Sequence, residues 1–321
     1  MNYRSLGDTG IIVSEIGFGA WGIGGETSGP TSYGPTNDDE SRLALRRAFD
    51  LGITFYDTSD LYGYGHSEEL IGEVLRDVRS KVVIASKVGF LEHNGPQNFS
   101  SKHITESLHK TLRRLRTDYL DLYQLHSPPL ETVKSDSEIL HTLNTLKKEG
   151  KIRAVGISVR SPNDATAAIE DLKLKSIQVN FNMIDQRILE NNCFELAKNE
   201  KIGIIARTPL AFGFLTDTLK NTEFSANDHR ASWSGEQIAR WKSAPEAFSF
   251  LLHGKNISPA QAALNFCLSF SAVSTVIPGM LTPREVDENV AVSQLPRFTS
   301  EELGKAYKIY KETNFFIGGK K

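Results

Sequence analysis

A closed (β/α)8 barrel preceded by a β-hairpin is the fold class this sequence predicts, and three observations carry the prediction. Eight short apolar runs alternate with helical patterns along the 321 residues. Runs such as Val82-Val83-Ile84-Ala85-Ser86 and Ile202-Gly203-Ile204-Ile205-Ala206 lack two-residue alternation, as expected of parallel strands covered on both faces. No repeat, low-complexity tract or Pro/Ser-rich linker divides the chain, so residues 1–321 read as a single domain. A doubly wound open sheet is the alternative arrangement of the same units.

Taken in order, residues 3–6 and 11–13 flank Gly7-Asp8-Thr9-Gly10 and read as the hairpin, about 3–13. Strands follow near 16–19, 54–57, 82–86, 120–125, 152–157, 176–180, 202–206 and 274–277. Helices fall near 38–51, 68–77, 102–116, 136–149, 162–171, 190–200, 259–269, 283–292 and 300–312. Their starts carry caps. Asn37 has Glu40 three on and Thr299 has Glu302 three on. Ser161, Ser258 and Thr282 each precede a proline suited to the first helical position. Ser67 is placed to cap a helix whose positive first turn holds Glu68 and Glu69. Gly150 and Gly203 stand just past helices, where left-handed backbone is needed. One stretch, about 211–257, is long, polar and irregular, and is expected to cover the site.

Composition excludes several function classes. With 37 basic and 39 acidic residues the net charge is −2, which argues against a nucleic-acid partner. Nothing approaches a membrane-spanning stretch, and the N-terminus shows no apolar signal core. Cys193 and Cys267 lie in apolar helical patterns and read as buried thiols, so the expected location is the cytoplasm. No metal-ligand spacing is present, and no G-x-S-x-G. Gly17-Phe18-Gly19-Ala20-Trp21-Gly22 matches G-x-G-x-x-G after a strand, but a loop follows it instead of the helix a dinucleotide fingerprint requires.

Four residues carry the chemistry. Asp57 ends the second strand, Tyr62 lies in its loop, Lys87 ends the third and His126 the fourth. Each alone has an ordinary reading: a turn former, a packing ring, a solvated charge, a loop histidine. Parallel strands, however, bring their C-terminal ends to one face, so all four side chains converge there. Tyrosine titrates near 10, too high for easy proton transfer at neutral pH. A lysine about 4 Å away is worth roughly 4 kcal/mol at an effective dielectric near 20, enough to lower that value by about three pH units. Asp57 would keep Lys87 charged, and a neutral histidine can orient a carbonyl oxygen. The set suits protonation of a carbonyl oxygen as it becomes an alkoxide, with a hydride supplied by a cofactor.

With these residues in place the chain resembles the aldo-keto reductase superfamily over nearly its whole length. FYDTSDLYGYGHSEELIG, IASKVG, DLYQLH, GKIRAVGIS, QVNFN, ARTPLAFGFLT and IPGMLTPREVDEN follow in that family's order. The resemblance implies a barrel closed at its bottom by the hairpin and NAD(P)H bound without a Rossmann fold. It implies Tyr62 as general acid, Lys87 and Asp57 as the pair setting its pKa, and His126 as the substrate-orienting group. Ser158 and Gln178 match positions that bond the nicotinamide carboxamide, and Trp21 and Arg207 flank that ring. Leu210, Gly213 and Leu215 match the pyrophosphate segment; Gly279, Glu285, Glu288 and Asn289 match the adenosine end. Trp21, Phe90 and Met183 are the implied pocket walls.

Two departures stand out. Val159 replaces the asparagine usual after Ser158. Basic residues that clamp a 2′-phosphate are replaced by Gly279, Leu281 and Glu285, although Arg284 is near. NADP(H) is the family default and NAD(H) the alternative; Glu285 could equally be the capping partner of Thr282. The implied activity is reversible reduction of an aldehyde, ketone or sugar-derived carbonyl. A sugar 1-dehydrogenase running in the oxidative direction, a cofactor-binding regulatory subunit and a barrel hydrolase or lyase are the alternatives.

Overall fold

In a computed structural model, residues 1–27 and 31–318 are described. The strands are β1 (Tyr3–Ser5), β2 (Ile12–Ser14), β3 (Phe18–Gly19), β4 (Phe55–Asp57), β5 (Val83–Val88), β6 (Leu120–His126), β7 (Ile152–Ser158), β8 (Ser176–Asn180), β9 (Gly203–Arg207) and β10 (Val273–Ile277). Strands β3 to β10 pair in chain order as one parallel sheet. Its two edges meet where Ile16 bridges Val276 and Gly19 bridges Gly279, so the sheet closes into a barrel. A Cβ on Gly19 would lie 2.6 Å from the Ile277 carbonyl oxygen. The glycine of the apparent nucleotide fingerprint is therefore needed at the barrel seam. A single 3-10 turn, Gly22–Gly24, follows it, and the end of that loop, residues 28–30, lies outside the described residues.

The hairpin β1–β2 plugs the N-terminal end. Leu6, Ile11 and Val13 pack with Phe55, Ala85, Leu122, Ala154, Ile205 and Ile277 in one buried cluster. Side chains alternate along a strand, so two residues farther on the same inward faces stand Asp57, Lys87, Gln124 and Arg207. The barrel interior is thus apolar at the bottom and polar toward the strand C-termini. Outward residues such as Tyr56, Ile84, Tyr123 and Leu125 pack in the larger core with helical Leu70, Ile71, Ile104 and Leu108. Among the described residues no helix is long and apolar enough to cross a membrane.

Several local expectations change. The helix after Tyr62 runs His66–Val74 with Gly65 as its N-cap; Ser67 lies inside it, fully buried, and donates to the Ala20 carbonyl instead. Glu68 and Glu69 do stand in the first turn, and Glu68 is also buried in an ion pair with Arg114, accepting from Ser86 and Thr111. Gly203 begins β9 in place of ending a helix; the left-handed residue is Lys201, and a Cβ on Gly203 would strike Leu6 at 2.7 Å. A helix Leu130–Ser135 precedes the expected one at Ser137–Lys148. The stretch 211–257 carries helices Gly235–Lys242 and Ala244–Ala247 besides 3-10 turns.

Candidate active site

A cleft of about 540 Å³ opens at the C-terminal end of the barrel, the face where such barrels carry chemistry. At its floor the Lys87 ammonium uses all three of its protons. It donates to Asp57 Oδ1 at 2.5 Å, to the Thr58 carbonyl at 2.8 Å and to Tyr62 Oη at 3.0 Å. Asp57 Oδ2 accepts from Gln178 Nε2 at 2.8 Å and Gln124 Nε2 at 3.1 Å. A buried ion pair survives only when its remaining bonding capacity is satisfied, and here it is. Burial pulls the Lys87 pKa down; Asp57 and Tyr62 outweigh it and hold the value above that of an ordinary lysine.

Tyr62 departs from the sequence expectation. Burial raises its hydroxyl above the ordinary phenol value despite the opposing pull of Lys87, and Asp57 adds to the rise. The phenol is therefore protonated at neutral pH in this state. Its place is set by backbone contact: Gly63 has φ 60, and a Cβ there would lie 2.1 Å from the Gly24 carbonyl oxygen. Gly63→Ala is expected to displace the Tyr62 turn. A fall in both the thermal midpoint and the turnover number would mark that displacement, and unchanged turnover would argue against it.

His126 lines the cleft with its ring edge-on to Tyr62 at 6.1 Å and to Phe90 at 5.0 Å between centroids. Burial, then Lys87 and Arg207, push its pKa well below the usual histidine range, so the ring is neutral. Arg207 ends β9, lines the same cleft and donates to the Val159 carbonyl at 3.2 Å, while its buried Nε has no hydrogen-bond partner.

The cleft continues from this floor past Leu210 and Gly213 to Gly279, Leu281 and Glu285. Thr282 and Glu285 form a capping box at helix Pro283–Val290, and Glu285 Oε2 also accepts from Leu281 N at 2.6 Å. Its carboxylate thus occupies the end of that helix where an anion would bind. The 211–257 stretch packs against Trp21: His229 lies edge-on to it at 4.9 Å, and the His229 amide donates to the Ser32 carbonyl at 2.8 Å. Arg230, paired with Asp228, stacks on Tyr33 at 4.8 Å. Left-handed, non-glycine backbone recurs at Asn94, Ser127, Thr208, Ala211 and Phe212, in loops at the strand C-terminal ends, and such strain concentrates at working sites.

Trp21, Asp57, Tyr62, Phe90, His126, Gln178, Arg207, Leu210, Gly213, Gly279 and Glu285 all line the cleft. Lys87 lies just behind it, fully buried against Asp57 and Tyr62. Ser158, Leu215, Met183, Glu288 and Asn289 are not among the residues lining the cleft. Ser158 is buried at the strand end against Ser127, and Gln178 spends its amide nitrogen on Asp57. Leu215 and Met183 are core side chains. Glu288 accepts from Ser258, and Asn289 is a buried residue of helix Pro283–Val290. Sequence reasoning missed Gln124, although its place two residues before His126 puts it on the same inward face. It also missed His93 and Asn94 at the mouth and Arg230 in the cover, for which no periodic signal exists.

The profile of the aldo/keto reductase family matches residues 15–311. An uncharacterised oxidoreductase of Bacillus subtilis is 30% identical over 94% of this chain and 94% of its own length. L-galactose dehydrogenase of Arabidopsis thaliana is 31% identical, covering 90% of this chain and 86% of its own. Among solved structures, an aldo-keto reductase of Bacillus halodurans in its holo form superposes with a TM-score of 0.78 at 28% identity, covering 96% of both chains.

Proposed function

Because this chain belongs to the aldo/keto reductase family and is an NAD(P)-dependent oxidoreductase, we propose that it reduces a small aldehyde or ketone with Tyr62 as the proton donor. One observation carries the reading: a protonated, half-buried phenol lies 3.0 Å from an ammonium that Asp57 locks in place, beside a neutral histidine, in one cleft. Bound nicotinamide supplies the hydride. The residues present fit such a group, because the cleft leads from Tyr62 past the unpartnered Nε of Arg207 to Gly213 and Gly279. His126 orients the carbonyl oxygen toward Tyr62 Oη. The ammonium of Lys87 holds the phenol in place and stabilises the negative charge that remains once its proton has gone. Trp21, Phe90 and Leu61 form an apolar wall around the reacting carbon, while His93 and Asn94 give a polar mouth. That pairing favours a carbonyl compound with a hydroxylated tail, a class to which the galactose-oxidising relative lends support. Oxidation of cofactor with a panel of hydroxylated and simple aldehydes tests it. Faster turnover of the simple ones would overturn the preference.

The cofactor reading follows from Glu285. A 2′-phosphate brought to helix Pro283–Val290 would meet a carboxylate already accepting from Leu281 and Thr282. NADH is therefore expected to bind at least as tightly as NADPH. Glu285→Arg is expected to raise the relative affinity for NADPH on the order of tenfold, about 1.4 kcal/mol. Parallel fluorescence titrations check both, and a wild-type preference for NADPH of tenfold or more would contradict the reading.

A further inference from the structure

Behind His126 lies a buried hydroxyl whose bonding leaves little freedom. Ser59 Oγ is 3.1 Å from Leu61 N, 3.1 Å from Asp60 Oδ1 and 3.2 Å from His126 Nδ1. A serine hydroxyl has one proton and two lone pairs. The Leu61 amide takes one lone pair, so of the two remaining contacts Ser59 must donate one and accept the other. If Asp60 is ionised, Ser59 donates to it and His126 must donate through Nδ1–H, leaving a bare Nε2 toward the cleft. If Asp60 is protonated, it donates to Ser59, Ser59 donates to Nδ1, and the cleft meets Nε2–H. Both arrangements satisfy every group.

We propose that Ser59 and Asp60 are positioning residues that set which nitrogen of His126 carries the proton, and thereby whether the cleft offers a donor to a carbonyl oxygen or an acceptor to an alcohol hydroxyl. The functional meaning rests on the carbonyl–alcohol reading above; the tautomer change itself does not. The two states differ by one proton. In passing to the donor state Nε2 gains a proton, Nδ1 gives its own to Ser59, and Ser59 gives its own to Asp60.

The surroundings suit a switch near neutral pH. Burial raises the Asp60 carboxyl and Glu68, on the following helix, raises it further; Ser59, Arg114 of the helix Ser101–Arg114 and the Leu61 amide oppose them, leaving it at about 7. Tyr123 on β6 also faces Asp60, but burial keeps that phenol protonated. Burial first, then Lys87, Arg207, His93 and Arg160 around the ring, hold the His126 pKa well below the usual histidine range. The change is therefore tautomeric and not a charging of the imidazole. The sign follows: the Nε2–H donor is present below the Asp60 value and lost as pH rises through it, so reduction is favoured on the acid side and alcohol oxidation on the alkaline side.

The test uses the full chain without cofactor, labelled with nitrogen-15 in its histidines. Long-range proton–nitrogen correlations report the tautomer of His126 from roughly pH 5 to roughly pH 9. The wild type is expected to pass from Nε2–H to Nδ1–H with a midpoint near that of Asp60. Asp60→Asn, whose carboxamide does not titrate, is expected to hold one tautomer at every pH. Ser59→Ala is expected to abolish the transition and Ser59→Thr, which keeps the hydroxyl, to retain it. In turnover the wild-type kcat/KM for reduction is expected to fall on the order of tenfold across the midpoint, and Asp60→Asn to lose that limb. A wild-type tautomer independent of pH, or a transition that persists in folded Asp60→Asn, would overturn the proposal. A transition present without turnover of any carbonyl compound would uphold the relay and count against the carbonyl reading instead.

Discussion

Lys87→Met is expected to lower folding stability by about 3–5 kcal/mol, because it leaves the Asp57 carboxylate buried without its counter-ion. Gln124 and Gln178 still bond Asp57 Oδ2, but Oδ1 loses its 2.5 Å partner and the Thr58 carbonyl loses a donor as well. Adding Asp57→Asn removes the stranded charge, so the double variant is expected to recover much of the lost stability and none of the turnover. Chemical denaturation midpoints check both. A single variant within about 1 kcal/mol of wild type would contradict the account of Lys87 as the electrostatic keystone of the barrel mouth. The pH dependence has a definite sign. The folded Lys87 pKa lies above the ordinary lysine value, so its contribution is complete below about 10.4. It is lost only as pH rises through the higher value it has in the fold.

Tyr62→Phe is expected to lower kcat/KM for carbonyl reduction by about 10²- to 10⁴-fold, the range for loss of a positioned acid. The substitution removes one oxygen from a half-buried ring and leaves the Lys87–Asp57 pair intact. Cofactor affinity is therefore expected to stay within a few-fold of wild type, and folding stability to change by little more than one hydrogen bond, about 1 kcal/mol. Parallel cofactor titration and steady-state kinetics separate the two effects. Turnover within tenfold of wild type would assign the proton to another group.

The fold was legible because its signals are periodic. Unalternating apolar runs announced parallel strands, and closure into a barrel then needed only the seam that Gly17 and Gly19 allow. Asp57, Lys87 and His126 were legible for the same reason, since a strand end fixes both the face and the end of the barrel a side chain reaches. Gln124 obeys that rule equally and was overlooked only because a carboxamide announces no chemistry by itself. Loops carry no such period. Leu215 and Met183, expected at the cleft by their place in a motif, prove to be core side chains, whereas His93, Asn94 and Arg230 reach it unannounced. Ser67 shows the same limit at a helix start: a two-residue shift turned an expected cap into a buried donor to Ala20. The direction of the Tyr62 pKa could not be read either. Its neighbours are written in the sequence, but the depth of its burial is a property of the whole fold, and burial outweighs Lys87.

The most direct test of the central claim follows the hydride. Reduced nicotinamide carrying deuterium at C4 is mixed with the protein and a hydroxylated aldehyde, and the alcohol product is examined by mass spectrometry. The account predicts deuterium on the former carbonyl carbon with wild type, and its appearance slowed by about 10²- to 10⁴-fold with Tyr62→Phe although the variant still binds the cofactor. Cofactor binding by wild type with no labelled alcohol from any aldehyde or ketone would contradict it.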